Sequence, residues 1–222
     1  MEPCGCTGLD RQKGGLARRH TFLQGLKERG WPVLGLDIGN QVRRYGRQPE
    51  LKFNLTVQLL EMMGYQAVAL GPNDLKLPAG ELFAVSAVDE NGQSMFVSAN
   101  TAVLDRSFIP RLQIVKLGDK KIGITSIISN QWKAQIFSED LILESVEQGL
   151  AATLEQMKTA GCDLHVLLVH DSIKASRLLA AEFPQFQIVV SAGSGGEPPY
   201  EMEQVEKTHT HLVEVGVKGM YA

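Results

Sequence analysis

The fold class is decided by residues 166–190, VLLVHDSIKASRLLAAEFPQFQIVV. Two apolar runs, 166–169 and 188–190, are typical of buried strands. Between them, 173–183 repeats apolar residues at three- and four-residue spacing, which indicates a helix with one apolar face. A strand, a helix and a second strand in this order predict a right-handed βαβ unit with parallel strands.

The same alternation extends over the rest of the chain. Further apolar runs predict strands at 33–36, 67–70, 96–99, 114–117, 122–128 and 212–217, and helical spacing predicts helices at 16–29, 51–63 and 146–160. This pattern predicts an α/β fold with a largely parallel sheet and helices on its faces. The middle, 96–128, has three predicted strands and no helix, and Leu117-Gly118-Asp119-Lys120 predicts a hairpin. We therefore expect an antiparallel edge or a second sheet there.

Length and composition favour an ordinary globular protein. The 222 residues, of which 44% are hydrophobic and 21% charged, suit one domain over 1–222. The net charge of −3 is spread over both signs, so nucleic acid is not an expected partner. No stretch approaches the roughly 18 apolar residues of a membrane span. Both ends lack clear stop signals, and we expect the chain to be a fragment of a longer protein.

Polar side chains follow several of the predicted strands. In parallel α/β sheets the carboxyl ends of the strands form the edge where ligands bind. We call this edge the rim, and its amide, carboxylate and imidazole groups are typical ligands of Mg, Mn or Zn. The candidate residues are Asp37, Asn40, Asn73, Asp74, His170 and the loop residues Gly193, Ser194 and Gly195.

Five blocks of the sequence, taken in order, resemble the catalytic domain of the 5′-nucleotidase-type metallophosphoesterases, of the calcineurin-like superfamily. They are Gly14-Gly15-Leu16-Ala17-Arg18-Arg19, Leu36-Asp37-Ile38-Gly39-Asn40, Leu70-Gly71-Pro72-Asn73-Asp74, Leu168-Val169-His170 and Val189-Val190-Ser191-Ala192-Gly193-Ser194-Gly195. The resemblance implies a four-layer α/β/β/α sandwich that hydrolyses phosphate monoesters such as nucleotides with divalent metals (Mn, Zn or Mg). It also implies an extracytoplasmic, periplasmic location.

The resemblance assigns roles to the rim residues. Asp37, Asn40 and His170 stand at metal-ligand positions, and Asn73 and Asp74 stand in the catalytic block. Asp37 and Asp74 also suit the simpler role of capping a turn through backbone hydrogen bonds. His170 likewise suits a buried histidine bonded to backbone. The glycine-rich loop lacks the Lys-Ser/Thr ending of a phosphate-binding Walker motif, so we interpret it as a flexible loop at the rim.

Several positions depart from the family pattern. Asn40 replaces the metal-bridging Asp, Pro72-Asn73 replaces Asn-His, and Gly193 and Gly195 replace two histidines. Only His170 matches its block fully, and no Asp-x-His block precedes Gly14. An amide carries no charge to hold two dications together. We therefore weigh a metal-dependent hydrolase acting on a small phosphorylated molecule against a pseudoenzyme with a binding or redox-associated role.

Cys4-Gly5-Cys6 is the remaining distinctive motif. Two thiols on either side of one glycine can bind a soft metal, form a strained disulfide or act as a redox pair, or they can be unrelated loop cysteines. Because Cys-x-Cys is not a complete metal site, a missing flanking segment or a partner protein would have to complete it.

Overall fold

A computed structural model describes residues 8–43, 46–136, 138–193 and 195–216 of the chain. Cys4, Cys6 and Ser194 lie outside these ranges, as does the end of the strand predicted at 212–217. The predictions made for those residues stay predictions.

Helices and strands alternate along most of the chain. The helices are α1 Leu16–Glu28, α2 Arg47–Met62, α3 Ala79–Ser86, α4 Asn130–Lys133, α5 Val146–Ala160 and α6 Ile173–Glu182. The strands are β1 Gly35–Asp37, β2 Tyr65–Val68, β3 Thr101–Val103, β4 Gln113–Leu117, β5 Lys120–Ile128, β6 Leu141–Leu143, β7 Leu164–His170, β8 Ile188–Ser191, β9 Glu203–Gln204 and β10 His211–Glu214. Short 3-10 turns cover Leu9–Arg11, Asp74–Lys76 and Arg106–Phe108.

The strands of the described ranges form one large sheet and two small ones. The large sheet has the order β4-β5-β7-β8-β10-β9, in which β5, β7, β8 and β10 are parallel and β4 and β9 are antiparallel edges. A parallel pair, β1-β2, and an antiparallel pair, β3-β6, are separate from it. The mixed α/β class, the parallel βαβ unit of β7-α6-β8 and the β4-β5 hairpin are therefore confirmed.

Two sequence predictions about the strands were wrong. Residues 96–99 form no strand and contribute only an isolated bridge between Val68 and Phe96, while the nearby strand is β3. Phe96 and Ala99 are fully buried, so the apolar run at 96–99 indicates burial and not a strand. The second error was to place β1 and β2 in the same parallel set as β7 and β8, because alternation along a chain does not say which strands pair.

The two long helices of the C-terminal half begin and end at residues suited to those positions. The Ser145 side chain accepts a hydrogen bond from the Gln148 backbone N–H at the start of α5, and Ser172 accepts one from Ala175 at the start of α6. Gly161 ends α5 in the left-handed conformation, with φ of 65°. These local signals explain why α5 and α6 agree with the sequence prediction within one residue.

Side chains of β7 alternate between two apolar clusters. Val166 and Leu168 pack with Ala67 and Ala69 of the β1-β2 region, whereas Leu167 and Val169 pack with residues of α5 and α6. A third cluster joins α2 and α3 to β2. His170 and Asp171, which continue the alternation, therefore belong to opposite faces of the large sheet. No helix in the described ranges is long and apolar enough to cross a bilayer.

Candidate functional site

The loops after β1 and β2 meet the end of β7, and Asn40 lies at their junction. Its Oδ1 accepts a hydrogen bond from the Asn73 backbone N–H at 2.9 Å. Its Nδ2 therefore donates, and it lies 2.9 Å from Nε2 of His170. The structure thus brings Asn40 into direct contact with Asn73 and with His170, although β7, which ends at His170, belongs to a different sheet from β1 and β2. We call this set, with Asp37 and Asp74, the rim cluster.

The backbone around Asn40 needs residues that tolerate unusual conformations. Asn40 has φ of 60°, a left-handed value that Asn adopts more readily than most residues. A Cβ at Gly71 would lie 2.4 Å from the Asn40 backbone nitrogen, so only glycine permits this approach. The loop-to-loop contact is therefore specified by the sequence at two positions.

The buried side chain of Asp74 joins the loop after β1 to the loop after β2. It is completely buried, and its Oδ2 accepts from the backbone N–H groups of Asn40 at 2.7 Å and Gly71 at 2.9 Å. Oδ1 accepts from Val42 at 3.2 Å. Burial raises the pKa of Asp74 to about 7, although these three backbone donors act to lower the pKa. The contacts match the capping role considered for Asp74.

Asp37 is held by an ion pair and by backbone. Its Oδ2 lies 2.8 Å from Nη1 of Arg19 in α1. Its Oδ1 accepts from the Gly39 backbone at 2.9 Å and from the Gln41 side-chain amide. Burial acts to lower the pKa of Arg19, but Asp37 and the Tyr65 hydroxyl raise it more strongly, and the net change is upward. The charge of Asp37 is thus balanced within the protein.

His170 has a neutral ring, and the lone pair of its Nε2 accepts the hydrogen bond from Asn40. The side chain is buried, which lowers its pKa below 6.5, although the Ile38 backbone and Asp171 act in the opposite sense. Because Asn40 donates to Nε2, the proton of the neutral ring lies on Nδ1. Nδ1 is buried, and no side chain of the described residues accepts its proton. The ring also meets the edge of Trp132, with centroids 6.2 Å apart.

Glu214 was missed by sequence reasoning. A Cβ at Gly193 would lie 2.2 Å from Oε1 of Glu214, so this carboxylate fills the space beside the glycine. Glu214 is the last residue of β10, whereas the predicted strand at 212–217 placed it within the strand, so no local signal marked it. Gly195 is described and adopts a left-handed conformation, with φ of 83°.

A pair of divalent metals does not fit these residues as they stand. Such a centre needs several carboxylate or imidazole donors per metal. Here the ion pair occupies Asp37, backbone N–H groups occupy Asp74, and an amide occupies Nε2 of His170. Over the described ranges, no three His, Cys, Asp or Glu side chains are grouped to bind a metal. These three groups of the rim cluster therefore already have partners within the protein.

Comparisons with known proteins identify the fold. No family model matches the chain, and no curated protein matches it. Among solved structures, it is similar to the Thermus thermophilus sulfate thiohydrolase SoxB in complex with glycerol, with a TM-score of 0.74, 17% identity and coverage of 94% of this chain and 39% of that one. It is also similar to a 5′-nucleotidase precursor from the same organism, with a TM-score of 0.74, 18% identity and coverage of 94% and 44%.

A third similar structure is the calcineurin-like phosphoesterase YfkN from Bacillus subtilis, with a TM-score of 0.63, 17% identity and coverage of 93% of this chain and 74% of that one. The chain has the fold of the 5′-nucleotidases and calcineurin-like phosphoesterases. It spans less than half the length of the first two structures.

Proposed function

We propose that this chain is a 5′-nucleotidase-like metallophosphoesterase domain that no longer hydrolyses phosphate monoesters and serves as a binding or redox-associated module. The observation that carries the proposal is the direct hydrogen bond between Asn40 and His170. It uses the lone pair of Nε2, which is the one available to a metal when the ring proton lies on Nδ1, and it comes from the residue that replaces the bridging carboxylate. Two dications held a few ångströms apart repel strongly, and an uncharged amide does not offset that repulsion.

The four-layer α/β/β/α arrangement is part of the same proposal. Three apolar clusters support it: one joins α2 and α3 to β2, one lies between β2 and the large sheet, and one joins the large sheet to α5 and α6. The extracytoplasmic location and any small phosphorylated ligand rest on the resemblance alone.

Loss of hydrolysis is tested with metal content and activity together. The purified chain is equilibrated with Mn²⁺ or Zn²⁺, its bound metal is measured, and hydrolysis of an aryl phosphate and a nucleoside monophosphate is followed. We expect far fewer than the about two metals per chain of a dinuclear hydrolase and no metal-dependent turnover.

The His170→Ala variant is the control for this assay. Metal-dependent turnover that disappears in His170→Ala would overturn the proposal and establish a hydrolase. Equal turnover in both proteins would indicate a contaminant, because His170 is the one family histidine that the sequence keeps.

The redox-associated role depends on Cys4 and Cys6. Thiol labelling of the reduced chain should modify both quickly, while Cys162 serves as an internal reference because burial raises the pKa of its thiol. A variant with both Cys4→Ser and Cys6→Ser should keep only the slow reaction. Slow labelling of all three thiols would remove the support for this role.

A further inference from the structure

A cavity lies on the face of the large sheet opposite the rim cluster. It has a volume of about 130 Å³ and opens between the first turns of α5 and α6, beside the ends of β5 and β7. Its apolar walls include Ile127, Val146 and Leu179, and its polar groups come from Ser129, Asn130, Glu147 and Asp171. The alternation of β7 separates it from His170, because His170 and Asp171 belong to opposite faces.

Asp171 brings a negative charge into this cavity without a matching cation. The residue is only 7% exposed. Its Oδ1 accepts from the Ser172 backbone N–H at 2.6 Å and from the Gln131 amide. Its Oδ2 has no hydrogen bond, and the carboxylate has no ion pair, with any residue of the described ranges. The start of α6 offsets part of the charge, and Oδ2 remains an acceptor that a cation in the cavity can use.

A second unpaired group faces the same space. The hydroxyl oxygen of Ser129, which also lines the cavity, is buried and lacks a partner among the described residues. The carboxylate oxygen and this hydroxyl are acceptors for the N–H groups of one ligand. Glu147, exposed at the start of α5, adds a second negative charge at the mouth.

The walls decide which kind of cation fits. The apolar side chains of Ile127, Val146 and Leu179 line the cavity beside the oxygen atoms of Ser129 and Asp171, so an organic cation with an alkyl part matches both kinds of wall. The cavity is slightly smaller than the roughly 150 Å³ that accommodates a benzene ring, which leaves room for a short alkyl chain. A primary ammonium group can donate to both Asp171 and Ser129 while its alkyl chain contacts the apolar walls.

We propose that this cavity binds the primary ammonium group of a small alkylamine, with Asp171 as the charged partner and Ser129 as a second hydrogen-bond partner. The site is independent of the proposed loss of hydrolysis, because it lies on the other face of the sheet and uses none of the rim cluster.

The test is a backbone amide chemical-shift titration of the full chain with n-propylammonium and, as a neutral match of similar size, 1-propanol. A ligand this small should bind in the millimolar range. We expect shifts at Ser129, Glu147 and Ala175, and at least about tenfold weaker binding of the alcohol, since it lacks the charge-assisted hydrogen bond.

Three variants complete the experiment. Asp171→Asn keeps the shape of the side chain and should weaken the binding of n-propylammonium by about tenfold or more. Ala175→Leu should abolish the binding of both probes, because the larger side chain fills the cavity. Glu147→Gln should weaken the binding of the amine by only about twofold, since the charge of Glu147 is exposed. Circular dichroism and melting temperature confirm folding of each variant.

The proposal is overturned if the wild-type chain binds the amine and the alcohol equally, or if neither shifts Ser129 and Ala175. Undiminished binding by a folded Asp171→Asn variant overturns it as well. If Asp171→Asn does not fold, the binding of the two probes to the wild-type chain and to Ala175→Leu still tests the proposal.

Discussion

Asn40 determines the hydrogen bonding at the centre of the rim cluster. The amide accepts from Asn73 with its oxygen and donates to His170 with its nitrogen, so it satisfies both neighbours without a metal. A carboxylate at this position would have two acceptor oxygens and nothing to donate to the imidazole. The amide therefore favours a neutral, hydrogen-bonded histidine.

Asn40→Asp should raise the pKa of His170 by about 1 or more, because a carboxylate beside Nε2 favours the protonated ring. The direction is opposite to the lowered pKa of the wild-type residue. The measurement is an NMR pH titration of the His170 ring protons. Asn40→Gly is the matched control, since it keeps the left-handed backbone and adds no charge. Equal pKa values of His170 in the two variants would contradict the interpretation of this contact.

Asp74 should make stability fall with rising pH. Its folded pKa of about 7 lies above the ordinary value of 3.8, so between these values the folded chain binds more protons than the unfolded chain. The free energy of unfolding therefore decreases over that window, by up to a few kcal/mol in total. The lowered pKa of His170 acts in the opposite direction.

Comparison with Asp74→Asn isolates this effect, because both proteins contain His170. The difference in unfolding free energy, wild type minus variant, should shrink from pH 4 to pH 7 in urea titrations. At pH 4 the variant should be less stable by about 1–3 kcal/mol, since one backbone donor loses its acceptor. A difference that grows with pH would show that the three backbone donors outweigh burial.

At the scale of elements, helices α1 and α5 are attached to the rest of the fold in different ways. Helix α5 packs its buried residues, among them Leu150 and Met157, onto the large sheet. Helix α1 has no fully buried residue in the described structure. Position within the packing, rather than helix propensity, therefore decides what a substitution in each helix does.

A pair of glycine substitutions tests that difference. Gly149→Ala in α5 should destabilise the fold by about 1–3 kcal/mol, because overpacking forces the backbone apart. The new Cβ would lie 2.7 Å from the Ala99 carbonyl oxygen. Gly25→Ala in α1, where nothing lies within 4 Å, should stabilise by about 0.5–1 kcal/mol. Thermal unfolding measures both, and the same sign for the two variants would contradict the packing described here.

At the scale of the whole molecule, the packing predicts an order of local stability. Strands β5 and β7 lie inside the large sheet, with apolar clusters on both faces of β7. Helix α1 is joined to the rest by Arg19, which donates to Asp37 and Tyr65, and by Lys27, which donates to the Met63 carbonyl at 3.4 Å. Elements with few buried contacts open at lower free energy.

Native-state hydrogen exchange should therefore show α1 opening before β5 and β7. Arg19→Ala should speed exchange in α1 further, because it removes the ion pair and leaves the buried Asp37 carboxylate uncompensated. Arg18→Ala, on the same helix but exposed, is the control and should change exchange little. Protection of α1 equal to that of β5 would refute this order.

The sequence by itself determined the alternation of strands and helices, the bounds of α5 and α6, the hairpin and the kinds of residue that end each strand. These features depend on local periodicity, caps and turn residues, which neighbouring positions carry. Only the tertiary structure decided that β1 and β2 form a separate sheet, that Asn40 bonds to His170, and that Glu214 fills the space beside Gly193. Those contacts join residues far apart in the chain, and a pattern of period 2 or 3.6 contains no information about which distant segments meet.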